Sequence, residues 1–417
     1  MQSTHYLIAG ASHAALSALE AIRMADPERE LTMVAKDDAL PYSPTVLPYV
    51  VSGHSNPERI FLRDESYFER THTSYLRGRA VTHIDTDAHV ASLTDGTELK
   101  YAKLLLATGA RPAVPAVPGL ESVSRHVLRT LGDAMGLRAN LSAARHAVVL
   151  GAGLIGMHAA ENLRKAGAQV TLIELQPQVL PAYFDAEAAA IIARAFADAG
   201  VEVRVGTQVA AVARQDRGFT VHLTSGEMLD GDLLVVGTGV TPVMDYLDGT
   251  PVATDRGILV DDTMRTNVGD VWAAGDVAQA RGFYTSEPVL NGILPYAVEQ
   301  GRIAGMAMAE DPALESYRGG VPLNTYSFWG RHAVSVGTNS APKGAEVVRR
   351  LTGAHERYLK IILDGNRLHG IFGVNEMFDA GVMWELVLRR IDLGPVRERF
   401  LAQPNETARA LMSRTWR

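Results

Sequence analysis

The run Val148-Val149-Leu150-Gly151-Ala152-Gly153-Leu154-Ile155-Gly156 decides how this chain folds. Three apolar residues end on a glycine, two more glycines follow at fixed offsets, and a segment rich in alanine with helical spacing comes next. That order reads as a strand, a tight turn and a helix. Each glycine has its own reason: Gly151 permits the turn, Gly153 removes a side chain where a pyrophosphate would approach the backbone, and Gly156 lets helix and strand pack closely. The helix start at Leu154 and Ile155 then offers its amides to phosphates. A second apolar strand, residues 170–173, ends at Glu174, about 20 residues further on, where a carboxylate grips the adenine ribose 2′-hydroxyl. It would repel a 2′-phosphate, and no arginine follows it closely, so NAD(H) is expected rather than its phosphorylated form. A Gly-rich turn taken alone also suits a packing loop; the strand, helix, second strand and acid together point to a nucleotide site.

Working outward, the same unit occurs earlier as Tyr6-Leu7-Ile8-Ala9-Gly10-Ala11-Ser12-His13-Ala14-Ala15. This copy is degenerate, with Ser12 at the middle glycine position and Ala14 or Ala15 at the last. Its second strand, residues 31–35, runs into Lys36, Asp37 and Asp38, so the acid is displaced and the ribose partner stays open among them. A further matching pair, Leu104-Leu105-Leu106-Ala107-Thr108-Gly109 and Leu233-Leu234-Val235-Val236-Gly237-Thr238-Gly239, follows the two folds. Residues 111–119, rich in proline, read as an extended crossing. From about residue 320 alternating strands such as 358–363 and 369–374 precede a helical segment at 384–390, and the charged stretch 389–399 reads as a solvated helix face. The expected class is α/β: two Rossmann-like three-layer dinucleotide domains and a C-terminal α+β domain. The expected division is 1–112 and 245–320 for the first nucleotide domain, 113–244 for the second and 321–417 for the third.

A length of 417 residues suits two to three domains. The formal charge of −7 argues against nucleic acid, whose phosphates need a basic face. No apolar stretch of about 18 residues is long enough to span a bilayer, so no membrane association is expected. The first five residues lead directly into the first strand, leaving no room for a secretion leader, and a cytoplasmic location is expected. The absence of cysteine removes disulfides, thiolate metal sites and iron-sulfur clusters of the chain's own. No metal site is expected, and any cluster must sit in a partner.

The stretch Thr266-Asn267-Val268-Gly269-Asp270-Val271-Trp272-Ala273-Ala274-Gly275-Asp276 completes a pattern. In this order, over residues 6 to about 310, these motifs resemble the pyridine nucleotide-flavin oxidoreductases with two dinucleotide folds. The resemblance implies FAD on the first fold and NAD(H) on the second. It places Gly275 and Asp276 at the flavin's ribityl chain. Gly10, Ser12, His13, Ala14, Lys36, Asp37, Thr45, Val81, Ala107, Thr108, Gly109 and Arg129 would line the rest of the FAD site. Pro295 starts a helix whose first amides, near Tyr296 and Ala297, would face the flavin pyrimidine ring. Trp329, with Phe328, suits either a cover over the flavin or a core strand. On the NAD side the resemblance adds Gly239.

The departures narrow the function. In Pro41-Tyr42-Ser43-Pro44-Thr45-Val46-Leu47-Pro48-Tyr49, Thr45 stands where disulfide reductases and NADH oxidases of the family carry a redox cysteine. A hydroxyl forms neither a sulfenate nor a mixed disulfide, which removes peroxide and disulfide reduction. Sulfide:quinone reductases also need cysteines and a membrane-seeking tail. His158 stands two residues after Gly156, where many relatives have a glutamate. It is a candidate neighbour of the nicotinamide, although a lone histidine is more often structural; Glu161 is a weaker one. Hydride transfer needs stacking and proximity rather than an acid or base at carbon, so catalysis is expected to be flavin-mediated. Without a thiol relay the electrons need a one-electron outlet, a ferredoxin-like carrier or a cluster-bearing subunit. Residues 40–53, 127–131 and 294–309 further resemble NADH-binding flavoprotein subunits of 2-oxo acid dehydrogenases that form coenzyme A thioesters. That implies thiamine-diphosphate and iron-sulfur subunits as partners in a hetero-oligomer. The alternatives are a freestanding NADH:ferredoxin or rubredoxin reductase, and a non-catalytic flavin-binding scaffold, against which Gly151, Gly153, Gly156 and Glu174 argue.

Overall fold

The computed structural model describes residues 2–285, 287–353 and 356–415. The chain forms two compact units, one of Met1–Arg111, Arg129–Leu131 and Val240–Gly320, the other of Pro112–Leu128, Gly132–Gly239 and Val321–Arg417.

The first unit is built on a seven-stranded sheet. Its strands lie in the order Thr73–Leu76, Leu31–Val34, Gln2–Ala9, Glu98–Leu106, Val90–Leu93 and Val81–Asp85, with Val271–Ala273 also paired to Glu98–Leu106. The first four strands and Val271–Ala273 are parallel, and the last two add an antiparallel meander. Both faces are covered, which is why these strands read as continuous apolar runs. Side chains alternate between two cores: Tyr6, Ile8, Met33 and Leu105 on one face, Leu7, Ala9, Val34 and Leu106 on the other.

The helices His13–Ala25 and Leu294–Met308 belong to the first of these cores and touch through small residues. A Cβ on Gly301 would lie 2.2 Å from Ala14 O, and one on Gly305 2.4 Å from Ala18 O. Ser17 Oγ donates to Val298 O at 2.7 Å. The contacts advance together along both helices, so they run parallel and their positive ends face the same edge.

In the second unit, Val201–Arg204, Gln169–Ile173, His146–Leu150 and Leu233–Val236 form a four-stranded parallel sheet. The strands Val209–Arg214, Phe219–Leu223 and Met228–Gly231 form an antiparallel meander. The C-terminal part is a five-stranded antiparallel sheet ordered Leu323–Phe328, Arg331–Gly337, Arg367–Val374, Arg357–Asp364 and Glu346–Thr352, followed by three helices. The chain is thus of mixed α/β class.

One expectation is corrected: the charged stretch 389–399 is not one helix. Helix Ala380–Leu388, capped by Asp379 on the Val382 amide at 3.1 Å, stops before it. The chain leaves helical geometry at Arg390, φ +51, with the Ile391 amide on Leu386 O at 3.1 Å, and Gly394–Val396 then forms a 3-10 turn ahead of helix Arg397–Ala402. No helix among the described residues is long and apolar enough to cross a membrane.

Candidate functional site

In the second unit Gly151, Gly153 and Gly156 differ in their surroundings. Gly151 has φ +95, and a Cβ there would lie 2.6 Å from Gly237 O. Gly156 passes so close to the preceding turn that a Cβ would lie 1.8 Å from Gly151 O. Gly153 has an ordinary φ of −74, and a Cβ would meet no described residue within 4 Å. Neither backbone conformation nor protein packing asks for glycine at that position.

Glu174 closes the same edge. Its Oε2 accepts the Ala152 amide at 2.7 Å and its Oε1 the Gln176 amide at 2.8 Å, so the carboxylate is fixed between the Gly-rich turn and the following loop. Each oxygen keeps a further lone pair for an incoming hydroxyl. Leu154 and Ile155 are partly exposed at the helix start, and Gly239, with φ +113, is exposed after strand Leu233–Val236. The sequence reading missed Leu175 and Val205, exposed apolar residues that follow the paired strand ends Ile173 and Arg204 beside Glu174. Their signal is a hydrophobic residue one or two positions beyond a parallel strand's end, a surface suited to the face of a purine.

His158 lies one turn into helix Leu154–Lys165, its ring edge-on to Tyr326 at 4.9 Å. Burial pushes its imidazole below the ordinary value, with Glu161 pulling the other way. Glu161 is buried; its Oε1 accepts the Trp329 amide at 2.9 Å and the Lys165 ammonium at 2.6 Å. Trp329 and Gly330 form the two-residue turn of a hairpin, with φ +47 and +73. That conformation is unusual for so bulky a side chain. The Trp329 ring is edge-on to Phe196 at 5.8 Å, with the Lys165 ammonium 5.3 Å from its centroid. Phe328 is buried and stacked with Phe196 and Tyr326, which makes it a core residue of this unit.

In the first unit, Gly10 has φ +136 and runs so near the next strand that a Cβ would lie 2.1 Å from Ala107 O. Ala14 and Ala107 are buried beside it. His13 Nε2 and Ser43 Oγ share a hydrogen bond of 2.9 Å, and Ser43 Oγ and Thr45 Oγ1 another of 2.7 Å. Burial lowers the His13 imidazole from its ordinary value, while the Asp276 carboxylate opposes this. Asp276 Oδ2 accepts from Arg129 Nη2 at 2.8 Å. Gly109, φ +68, makes room for that guanidinium, since a Cβ would lie 3.2 Å from Nη2. The Gly275 amide donates to Gln300 Oε1 at 2.9 Å, which ties the turn before Asp276 to helix Leu294–Met308.

Other predicted residues are engaged in ways the sequence did not reveal. Thr108 Oγ1 donates to Val243 O at 3.0 Å and lies 2.8 Å from Tyr246 Oη. Lys36 is exposed. Asp37 Oδ2 accepts from Tyr42 Oη at 2.6 Å, and Tyr42 Oη in turn accepts the Leu131 amide at 2.8 Å. Val81 is half-buried at the start of its strand, opposite Leu93. Tyr296 is buried, with its ring 2.5 Å from where a Gly320 Cβ would stand. The Ala297 amide donates to Ile293 O at 3.2 Å inside the helix, so what this residue adds to the helix start is a small buried side chain.

A contrast among helix starts sets these edges apart. Helices Glu65–Arg70, Ala186–Asp198 and Ala380–Leu388 are capped by Asp64, Asp185 and Asp379. Helices His13–Ala25, Leu154–Lys165 and Leu294–Met308 have no side-chain cap among the described residues and no acid in the first turn. An anionic ligand satisfies such amides without competition from a resident carboxylate.

Residues 4–307 match the family described as pyridine nucleotide-disulphide oxidoreductase. The chain is 55% identical over 419 residues to the NADH-dependent phenylglyoxylate dehydrogenase subunit epsilon of Aromatoleum evansii, covering 100% of this chain and 99% of that one. It is 33% identical over 284 residues to the rubredoxin-NAD(+) reductase of Acinetobacter baylyi, covering 66% of this chain and 72% of that one. Among solved structures, the covalent putidaredoxin reductase-putidaredoxin complex aligns over 99% of both chains with a TM-score of 0.87 at 25% identity.

Proposed function

The chain belongs to the pyridine nucleotide-disulphide oxidoreductase family, which uses FAD and NAD(H), and from that premise we propose that it is the flavoprotein subunit of a 2-oxo acid dehydrogenase complex acting on phenylglyoxylate. It is an oxidoreductase of electron transfer between NADH and one-electron carriers. The likeness to subunit epsilon over the whole length supports the finer reading. Thiamine-diphosphate and iron-sulfur subunits would oxidise the 2-oxo acid to its coenzyme A thioester, and this chain would exchange the electrons with NAD(H) in the cytoplasm.

The observation that carries the nucleotide assignment is Gly153, a glycine with ordinary φ and open surroundings at an uncapped helix start. A side chain there would meet no described residue, which leaves that space beside the helix start to a ligand. In this reading Gly151, Gly153, Leu154, Ile155, Gly156, Glu174 and Gly239 hold NAD(H). The residues of the first unit, from Gly10 to Ala297, hold FAD: the start of helix His13–Ala25 takes the pyrophosphate, Asp276 the ribityl hydroxyls, and the positive end of helix Leu294–Met308 favours negative charge on the ring system. Bound FAD supplies the step from two-electron to one-electron chemistry. Thr45, in the cysteine's place, confines the chain to that exchange. The proposed domains are 1–112 with 245–320 for FAD, 113–244 for NAD and 321–417 for a C-terminal interface domain.

The test is direct: the purified chain should carry or take up FAD, bleach anaerobically with NADH and reduce an artificial dye. Failure to bind flavin overturns the reading. A freestanding rubredoxin or ferredoxin reductase is the second reading, favoured by the similarity to the Acinetobacter baylyi enzyme. An untagged isolation separates the two, since stoichiometric thiamine and iron-sulfur subunits belong only to the first.

A further inference from the structure

Thr45 Oγ1, Ser43 Oγ and His13 Nε2 form a continuous hydrogen-bonded chain, with links of 2.7 and 2.9 Å. Thr45 is exposed at one end and His13 is half-buried at the other. The two residues are carried by segments that leave the C-terminal ends of neighbouring parallel strands, Leu31–Val34 and Gln2–Ala9. That edge is where doubly wound sheets take their ligands.

The proposed reaction leaves a proton to be moved. With A as a one-electron carrier, the balance is NADH + 2 A(oxidised) → NAD⁺ + H⁺ + 2 A(reduced). NADH gives two electrons and one hydrogen nucleus together as hydride, whereas the carriers take electrons only. One proton per NADH must therefore leave the site, or enter it when the reaction runs backwards.

We propose that Thr45, Ser43 and His13 are the relay that carries this proton, an inference that rests on the functional reading above. Outward, His13 takes the proton and its Nε2–H passes to Ser43 Oγ as the Ser43 O–H passes to Thr45 Oγ1, and the exposed Thr45 gives its own O–H proton to solvent. Each O–H or N–H bond formed matches one broken, and no electrons move along the chain. Hydroxyls both donate and accept, so the relay runs in either direction. Burial keeps the imidazole unprotonated and able to accept, and Asp276 stabilises it once charged. The charges that bear on His13 are Asp276, Arg129 through its 2.8 Å bond to Asp276, and in the loaded protein the pyrophosphate that the functional reading seats at the start of helix His13–Ala25. A threonine in the position of a redox cysteine thus passes protons without storing electrons.

The test compares two acceptors on the FAD-loaded full chain with NADH as donor: ferricyanide, which takes single electrons, and thio-NAD⁺, which takes hydride and so leaves no proton behind. Ser43→Ala, Thr45→Val and His13→Gln should each lower the ratio of ferricyanide to thio-NAD⁺ rates at least tenfold, and Thr45→Ser should restore it. A solvent deuterium effect should accompany the ferricyanide reaction only. Independently of turnover, the flavin potential plotted against pH should bend where His13 titrates and lose that bend in His13→Gln. Bleaching by NADH with an unchanged ratio in all three variants, or a bend that survives His13→Gln, overturns the relay alone. No FAD binding, or no bleaching, by the unsubstituted chain overturns the functional reading and the relay with it.

Discussion

Glu174 shows how little freedom a single side chain has at this site. Both carboxylate oxygens already hold backbone amides, at 2.7 and 2.8 Å, so it orders the Gly-rich turn before any nucleotide arrives. Glu174→Arg removes both acceptors and reverses the charge. Hydrogen bonds to charged groups are worth about 1.5–3 kcal/mol each, so the Kd for NADH should rise by about tenfold or more. Affinity for NADPH should improve relative to it, and fluorescence titration with both nucleotides checks the ratio; an unchanged ratio would remove Glu174 from the ribose. The glycines divide in a similar way. Gly156→Ala forces a Cβ to within 1.8 Å of Gly151 O and should cost about 1–3 kcal/mol in denaturant unfolding. Gly153→Ala meets no described residue within 4 Å, so it should leave the unfolding midpoint in place while weakening NADH binding. The constraints on Gly151 and Gly156 were legible in the sequence because each serves the backbone at a fixed offset, whereas Gly153 stands at its offset without such a constraint. The contacts of the first unit were less legible: Tyr42 engages Asp37 through a side-chain bond that no local pattern announces.

At the scale of elements, the tie between the C-terminal sheet and helix Ala186–Asp198 was invisible in the sequence. Asp185 reads as an ordinary cap, and its carboxylate does accept the Ala188 amide at 3.2 Å. It also accepts from Tyr358 Oη at 2.6 Å and pairs with Lys360 at 3.1 Å. Lys360 is only 4% exposed in its strand, and its ammonium also donates to Asn339 Oδ1 at 2.6 Å. Strand alternation predicts which residues face inward but not which distant carboxylate meets a buried cation. Asp185→Ala leaves that ammonium without its counter-charge and should cost about 3–5 kcal/mol, measurable by denaturant unfolding at neutral pH. Burial alone would raise the Asp185 carboxyl, but Tyr358, the Ala188 amide and Lys360 outweigh it and hold it below its ordinary 3.8. A depressed carboxylate stabilises the fold above its unfolded value and loses that contribution as pH falls through the folded one. The wild type should therefore weaken below about pH 4, with a shallower loss in Asp185→Asn, which cannot titrate. The hairpin turn at Trp329 was equally open from sequence. Two-residue turns of this kind favour Asn-Gly or Asp-Gly, and the Trp329 amide is instead secured by a distant glutamate, Glu161.

At the scale of the whole molecule, the decisive property is one of composition. The family's name carries disulphide chemistry, yet none of the 417 residues is a cysteine. Electrons that reach the flavin cannot be stored on a thiol of this chain, so they must go to an acceptor outside it. The consequence can be measured on the isolated, FAD-loaded protein. Iodoacetamide or N-ethylmaleimide should leave the rate of NADH-driven dye reduction unchanged, because thiolates are the groups these reagents attack most readily. Neither hydrogen peroxide nor coenzyme A disulfide should be consumed stoichiometrically with NADH under anaerobic conditions. A rate that falls on alkylation would reveal a dependence on some other nucleophile, and consumption of a disulfide would show that Thr45 does not impose the limit argued for it. With both outcomes negative, the electrons leave the chain for an acceptor other than peroxide or a disulfide, and that acceptor is the next quantity to identify.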